Sequence, residues 1–259
     1  MKIKEFPWQP TWLAFLRIFS DIAYATEIAT EANIEDIQQA PRFEQRYKSV
    51  TNLIRQRGTN QILELAAGFS SRGLFMTQDP NIRYVESDKA RVISQKKRVV
   101  ASVLAKVGAA RPNLTFAEVD AFKYHQLSTA VADLKGSISV VSEGLFSYFT
   151  PQKQQLLARN IHKLLSTTGG VWITPDITTR GEWARSYGRD LSSMYAQRTY
   201  LFKDEKEIDI FFAETRFQAE KFSQSVLAGE LVSIERLRLD RSVTTRRLSD
   251  MRIYCLSPR

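Results

Sequence analysis

The chain of 259 residues is poor in the side chains that build metal centres and disulfide frameworks. It has one cysteine, Cys255, and two histidines, His125 and His162. A lone cysteine excludes a disulfide scaffold, and this donor set is too small for a structural zinc, so no metal is expected. Long apolar runs are missing too. The run from Trp12 to Phe19 is too short to cross a bilayer and carries Arg17. It reads as a helix covering the core, so a cytoplasmic protein with no membrane partner is expected. Repeats and low-complexity tracts are absent. So are the G-x-G-x-x-G and P-loop phosphate cradles.

What is present describes a folded protein. Fifteen Phe, 9 Tyr and 4 Trp within 43% hydrophobic residues supply apolar area for a large core and exclude disorder as the main state. Lys plus Arg number 37 against 28 Asp plus Glu, a net charge of +9. That surplus permits an anionic partner without demanding one. Part of it is local: from Lys89 to Arg111 there are basic residues and no acidic ones. The Lys96-Lys97-Arg98 run reads as a solvated helix face, and nucleic acid is an unlikely partner.

Apolar spacing divides the chain. Residues 1 to about 57 read as helical, with Ser20-Asp21 before an Ala-rich segment and a helix after Ala40-Pro41 carrying Phe43, Tyr47, Val50 and Ile54. Short strand-like runs follow at 61–65, 82–86, 113–119, 137–142 and 171–174. Between the second and third lies a helix-period stretch from Val92 to Val107. Pro151, suited to a first helical turn, opens another that stops at Gly169-Gly170. Strands alternating with helices at this spacing predict a parallel sheet covered on both faces. Residues 176–212 break the rhythm and suggest a lid. A helix between Asp204 and Thr215 and an antiparallel pair, 217–223 with 251–256, complete the chain.

The chemistry is expected where the first strand ends. Ile62-Leu-Glu-Leu-Ala-Ala-Gly68 turns on small residues that let a ligand approach the backbone, with a helix N-terminus just beyond. The next strand ends in Glu86 and Asp88. A carboxylate there can accept hydrogen bonds from a ribose diol. A carboxylate in the first strand, Glu64, without a phosphate cradle suits a cationic adenosyl ligand, S-adenosylmethionine, better than a dinucleotide.

Taken in order, these pieces resemble the leucine carboxyl methyltransferase family, which includes bacterial O-methyltransferases related to polyketide modification. The likeness rests on Arg42-Phe-Glu-Gln-Arg46, Leu63-Glu-Leu-Ala-Ala-Gly-Phe-Ser-Ser-Arg72, Tyr84-Val-Glu-Ser-Asp88, Val119-Asp120-Ala121 and Glu143-Gly-Leu-Phe-Ser-Tyr-Phe149. It spans about residues 40 to 175. Ala66 stands where the family loop has its first Gly. The resemblance implies a Rossmann-like class I methyltransferase fold, α/β, mostly parallel with an antiparallel C-terminal strand. An N-terminal helical cap would cover 1–57, and the methyltransferase domain of 58–259 would carry a lid insertion at about 176–212.

Site residues follow from the same resemblance. Arg46 or Arg42 would pair with the cofactor carboxylate, a task that suits a guanidinium fork. Glu64, Ala66 and Gly68 would line the methionine and ribose side. Asp88 would bind the ribose hydroxyls, with Glu86 as alternate. Asp120 and Ala121 would meet the adenine, and Glu143 the ammonium and methyl region. Apart from the resemblance, Tyr148, Arg180, Arg185, Tyr187 and Arg198 flank the expected lid and could orient the acceptor, and of these Tyr148 and Arg198 are the candidate catalytic residues. The expected activity is methyl transfer to a carboxylate or hydroxyl of a small molecule. The alternatives are an RNA or protein methyltransferase using the basic surface, or a non-catalytic cofactor-binding relative. A carboxylate is ionised at neutral pH and needs no base, and no Ser-His-Asp or His-based dyad is visible in the chain.

Overall fold

A computed structural model describes residues 19–28, 39–187 and 200–259. Most of the expected N-terminal helix, Trp12 to Phe19, lies outside the described residues. The helices are α1 (Ala25–Ile28), α2 (Ala40–Arg57), α3 (Arg72–Met76), α4 (Ala90–Lys106), α5 (Tyr124–Ala130), α6 (Pro151–Thr168), α7 (Arg180–Tyr187), α8 (Glu205–Glu214), α9 (Gln224–Ala228), α10 (Val232–Arg236) and α11 (Arg241–Leu248). The strands are β1 (Gln61–Leu65), β2 (Arg83–Asp88), β3 (Leu114–Glu118), β4 (Ile138–Ser142), β5 (Gly170–Thr174), β6 (Phe217–Ser223) and β7 (Arg252–Pro258).

All seven strands form one sheet in the order β3-β2-β1-β4-β5-β7-β6. The first five run parallel, and β7 lies antiparallel to both β5 and β6. This is the mixed sheet the sequence predicts. Every residue of β1 and β4 is buried, as central parallel strands covered by helices require. Local chemistry sets the edges of the elements. Thr150 caps α6 by accepting the Lys153 N–H, and Pro151 opens its first turn. At the other end, Gly170 has φ +109°, and a Cβ there would lie 1.9 Å from the Ile138 carbonyl oxygen. Glycine is what lets β5 start against β4.

Side-chain alternation separates the two faces. Leu63, Leu65, Val140, Phe146, Trp172 and Phe217 pack with α6 and α8. Ile62, Tyr84, Val141 and Ile173 face the other way and share a core with Val50, Leu53 and Ile54 of α2 and Val100 and Val103 of α4. Ile208, Phe211 and Phe212 of α8 are buried in the first core. The stretch after Asp204, expected within a lid, therefore covers the sheet. A helix with a buried apolar stripe belongs to the core.

Three short helices between β6 and β7 were not foreseen. Their anchor is α2. The buried Glu44 carboxylate accepts the N–H groups of Val232 at 3.0 Å and Ser233 at 2.9 Å at the start of α10. Gln45 donates to the Leu248 carbonyl and Asn52 to that of Leu227. No helix among the described residues is long and apolar enough to cross a membrane.

Candidate cofactor and acceptor site

The turn after β1 bends through two left-handed residues, Ala66 at φ +51° and Gly68 at φ +48°. Glycine adopts this conformation freely, whereas alanine gives up about 1–2 kcal/mol. The turn is tied to the end of β2. Ala67 N–H donates to the Ser87 carbonyl at 2.9 Å, and Gly68 N–H donates to Asp88 Oδ2 at 2.8 Å. The second Asp88 oxygen accepts the Lys89 N–H at 2.7 Å. Asp88 stays partly exposed at the carboxyl end of its strand. Because Asp88 uses the Gly68 N–H, that group is not presented to a phosphate.

Two other predicted carboxylates lie elsewhere. Glu64 and Glu86 are direct cross-strand partners, and both point to the α2–α4 face rather than past the strand ends. Glu64 is 2% exposed and is held by Arg72 and by the Tyr84 hydroxyl at 2.8 Å. Glu86 is fully buried beneath the turn, 2.7 Å from Lys96 Nζ. Both are thus engaged inside the protein, Glu64 with Arg72 and Tyr84, and Glu86 with Lys96. Lys96 corrects a third reading. It is fully buried rather than solvated, and its Nζ also approaches the Ala67 carbonyl at 3.5 Å. Burial raises the Glu86 carboxyl to about 7, against the attraction of Lys96. Gly73 makes room for it: a Cβ at that position would lie 2.5 Å from Glu86 Oε1.

Arg72, quoted in the sequence only as part of a motif, is the hub of this interior. It is fully buried, pairs with both Glu64 and Glu143, and donates Nε to Thr51 Oγ1 at 3.1 Å. Its guanidinium lies 4.5 Å from the Tyr47 ring centroid. Burial opposes its charge, but Glu64 and Glu143 together raise its pKa well above the ordinary value. Glu143 also accepts Arg46 Nε at 3.1 Å. The chain of contacts thus runs from Tyr84 through Glu64, Arg72 and Glu143 to Arg46.

Beyond β4, Asp176 accepts the N–H groups of Gly144, Leu145 and Phe146 at 2.8, 2.7 and 3.0 Å. This fixes the Glu143-Gly-Leu-Phe loop. Burial raises the Asp176 pKa against the pull of Arg46 and these donors. Beside it opens a cavity of about 30 Å³ whose walls include Arg42, Arg46, Ser147, Tyr148, Asp176 and Gln224. Helix α7 forms one side. Thr179 and Glu182 cap it reciprocally: Thr179 Oγ1 accepts the Glu182 N–H at 3.2 Å, and Glu182 accepts the Thr179 N–H at 2.9 Å. The Thr-x-x-Glu spacing is a sequence signal for such a box. It sets Trp183 and Ser186 over α2, where Arg42 donates to Ser186 at 2.7 Å and lies 5.0 Å from the Trp183 ring centroid.

The structure places the remaining candidates as follows. Asp120 is exposed just past β3, with Oδ1 accepting the Phe122 N–H at 3.1 Å. Ala121 follows it and accepts from Asn160 at 3.1 Å. Tyr148 is 39% exposed and lines the cavity. Arg198 lies outside the described residues. Arg185 pairs with Asp250 at the surface, and Arg180 lines a separate groove beside Tyr200. His125 is exposed on α5, and His162 packs edge-on against Phe217. Cys255 is buried in β7, and burial raises its thiol to about 11, as expected of an inert cysteine.

The family model for leucine carboxyl methyltransferase matches residues 23–162, more than half of the chain. The chain belongs to the leucine carboxyl methyltransferase family. It is an S-adenosylmethionine-dependent methyltransferase. Solved structures with the same fold include the methyltransferase domain of bacterial CtHen1-C. That match has TM-score 0.57 and 10% identity over 83% of this chain and 97% of that one. Magnesium protoporphyrin IX methyltransferase (ChlM) from Synechocystis PCC 6803, solved with bound SAH, matches at TM-score 0.56 and 13% identity over 90% and 92%. An O-methyltransferase family protein from Burkholderia thailandensis matches at TM-score 0.51 and 11% identity over 86% and 59%. A search of curated proteins by sequence finds no match. The methyltransferase has a strand-end turn of small residues, a carboxylate beside it and no presented phosphate cradle. That donor set fits an adenosyl ligand without phosphates.

Proposed function

We propose that this methyltransferase transfers a methyl group to the oxygen of a small molecule, a carboxylate or a hydroxyl, with a carboxylate favoured. The observation that carries this reading is the cavity wall. Arg42 and Arg46, one turn apart on α2, contribute positive charge, and among the described lining residues there is no histidine or lysine. A guanidinium suits an anionic acceptor. A hydroxyl acceptor would gain from a base, and the two wall carboxylates are engaged: Asp176 by three N–H groups, Glu182 by Thr178 and Thr179.

When bound, S-adenosylmethionine supplies a methyl group on a cationic sulfur, an electrophile that needs alignment more than activation. Asp88 is assigned to the ribose hydroxyls, and the small Ala66 and Gly68 to close approach at the turn. Asp120 with Ala121 is assigned to the adenine, and Arg46 with Glu143 to the methionine end. Arg42 and Tyr148 then orient a small acceptor, with no nucleic acid or membrane partner involved.

Calorimetry with S-adenosylmethionine, followed by mass spectrometry of products from a panel of small carboxylic acids and phenols, tests the reading. Base-labile methyl esters are expected. Stable aryl ethers alone would move the acceptor to a hydroxyl. Methylation of added RNA but of no panel member would overturn the small-molecule reading.

A further inference from the structure

The buried Asp176 carboxylate answers three consecutive backbone donors. Oδ1 accepts the Gly144 N–H, and Oδ2 accepts those of Leu145 and Phe146. Buried N–H groups without an acceptor are costly. A carboxylate suits three of them, since it offers two acceptor oxygens where an amide has one. Asp176 is itself held from behind. Its N–H donates to Thr174 Oγ1 at 3.2 Å, which accepts the Ser142 hydroxyl at 3.1 Å, and Ser142 in turn accepts the Trp172 indole N–H. The carboxylate is thereby referenced to β4, β5 and the aromatic core. Other groups hold the carbonyls of the same loop: Gln154 donates to that of Phe146 at 3.2 Å, and the Tyr200 N–H to that of Ser147 at 2.7 Å.

The clamped loop has one end on each half of the reaction. Before the three donors stands Glu143, which holds Arg46 and Arg72. After them stand Ser147 and Tyr148, which line the cavity. We propose that Asp176 is a positioning residue for methyl transfer. By gathering the N–H groups of Gly144, Leu145 and Phe146, it sets the spacing between the methionine end of the cofactor, at Glu143 and Arg46, and the methyl acceptor, at Tyr148. This rests on the O-methyltransferase reading above. Asp176 needs no contact with either molecule, and with both oxygens engaged by the loop it does not serve as a base. An in-line displacement depends on alignment, and a misplacement of about 1 Å can cost about a hundredfold in rate. An amide at this position would turn N–H against N–H, so the loop would have to move.

The test is Asp176→Asn in the full chain, with folding checked by circular dichroism. Calorimetry should show S-adenosylhomocysteine bound about tenfold more weakly than by the wild type. With whichever acid of the panel is methylated, kcat should fall by about thirtyfold or more while the acceptor KM stays within about threefold. Because the effect on the cofactor runs through Glu143, adding Asp176→Asn to Glu143→Gln should weaken S-adenosylhomocysteine by less than about twofold further. A variant that melts earlier but keeps its kcat and S-adenosylhomocysteine affinity marks Asp176 as a packing residue and overturns the proposal. A change in acceptor KM alone, or additive losses in the double variant, overturns it too. Should Asp176→Asn fail to fold, a crystal structure of the wild type with S-adenosylhomocysteine decides. The three N–H bonds should persist, with Glu143 or Arg46 within hydrogen-bond distance of the amino-acid end. Asp176 bonded to the ligand itself, or a 143–148 loop that does not touch it, overturns the proposal. If the wild type binds S-adenosylhomocysteine but methylates no acid in the panel, the small-acid reading fails, and calorimetry with the double variant still decides the role of Asp176.

Discussion

The two faces of the central sheet are built on opposite principles. On the α6–α8 side, Phe146 lies 5.6 Å from Trp172, 5.5 Å from Phe211 and 6.4 Å from Phe202 between ring centroids, and Trp172 lies 5.7 Å from Phe217. The one indole N–H there is satisfied by Ser142 at 3.0 Å. On the α2–α4 side, Glu64 and Arg72 are buried among apolar neighbours and join Glu143 and Arg46, and Glu86 pairs separately with the buried Lys96. The aromatic face draws stability from area removed from water and tolerates changes that keep volume. The ionic face draws little net stability, because desolvation offsets attraction, but removing one partner strands another. It lies directly under the turn and beside the cavity lined by Arg42 and Arg46. Buried charge is concentrated where positions must be held, and hydrocarbon where only mass is needed.

The largest expected effect tests that contrast directly. Arg72→Met leaves Glu64 and Glu143 without their shared cation and should cost about 3–5 kcal/mol in denaturant unfolding. Phe146→Leu on the opposite face should cost about 1–2 kcal/mol. Equal losses would break the comparison. Next, Asp88→Ala removes the acceptor of the Gly68 N–H and the assigned ribose ligand. Calorimetry should show S-adenosylmethionine affinity lowered by one to two orders of magnitude, or about 1.4 kcal/mol for each tenfold step. Unchanged affinity would reassign the ribose.

The smallest effect concerns pH. Folding raises Glu86 from an ordinary 4.5 to about 7, so the folded chain holds this proton over a window where the unfolded chain has released it. Its contribution to stability is therefore full below about pH 4.5 and is lost as pH rises through about 7. Thermal melts of the wild type should fall relative to Glu86→Gln across that window. Parallel curves would place the pH dependence elsewhere.

Much of the fold was legible because local chemistry agreed with it. The runs at 61–65 and 137–142 became β1 and β4, Pro151 opened α6, and the glycines at 169 and 170 ended it. The small-residue turn, Asp88 at the end of β2 and the Glu143 loop stand in the fold where the sequence puts them. The direction of Glu64 and Glu86 was not legible, because a carboxylate at the end of a strand can point beyond the sheet or into a covering helix, and which it does depends on the cation opposite. Lys96 was misread for the complementary reason. Asp176 and Glu44 gave no local signal of the backbone N–H groups they accept, which lie 30 or more and 188 or more positions away. Glu182 did carry one, in its spacing from Thr179.

The order of strands and helices, the position of the crevice and the scarcity of acid–base side chains belong to the sequence alone. They rest on periods of two and 3.6 residues and on a few turn-forming residues, all local properties. The tertiary structure alone decided which carboxylates stay at the strand ends and which neutralise buried cations. It alone joined α2 to the C-terminal helices. Those outcomes depend on which charges and donors meet after the chain has folded, and that meeting is set by packing across long separations rather than by neighbours in the chain.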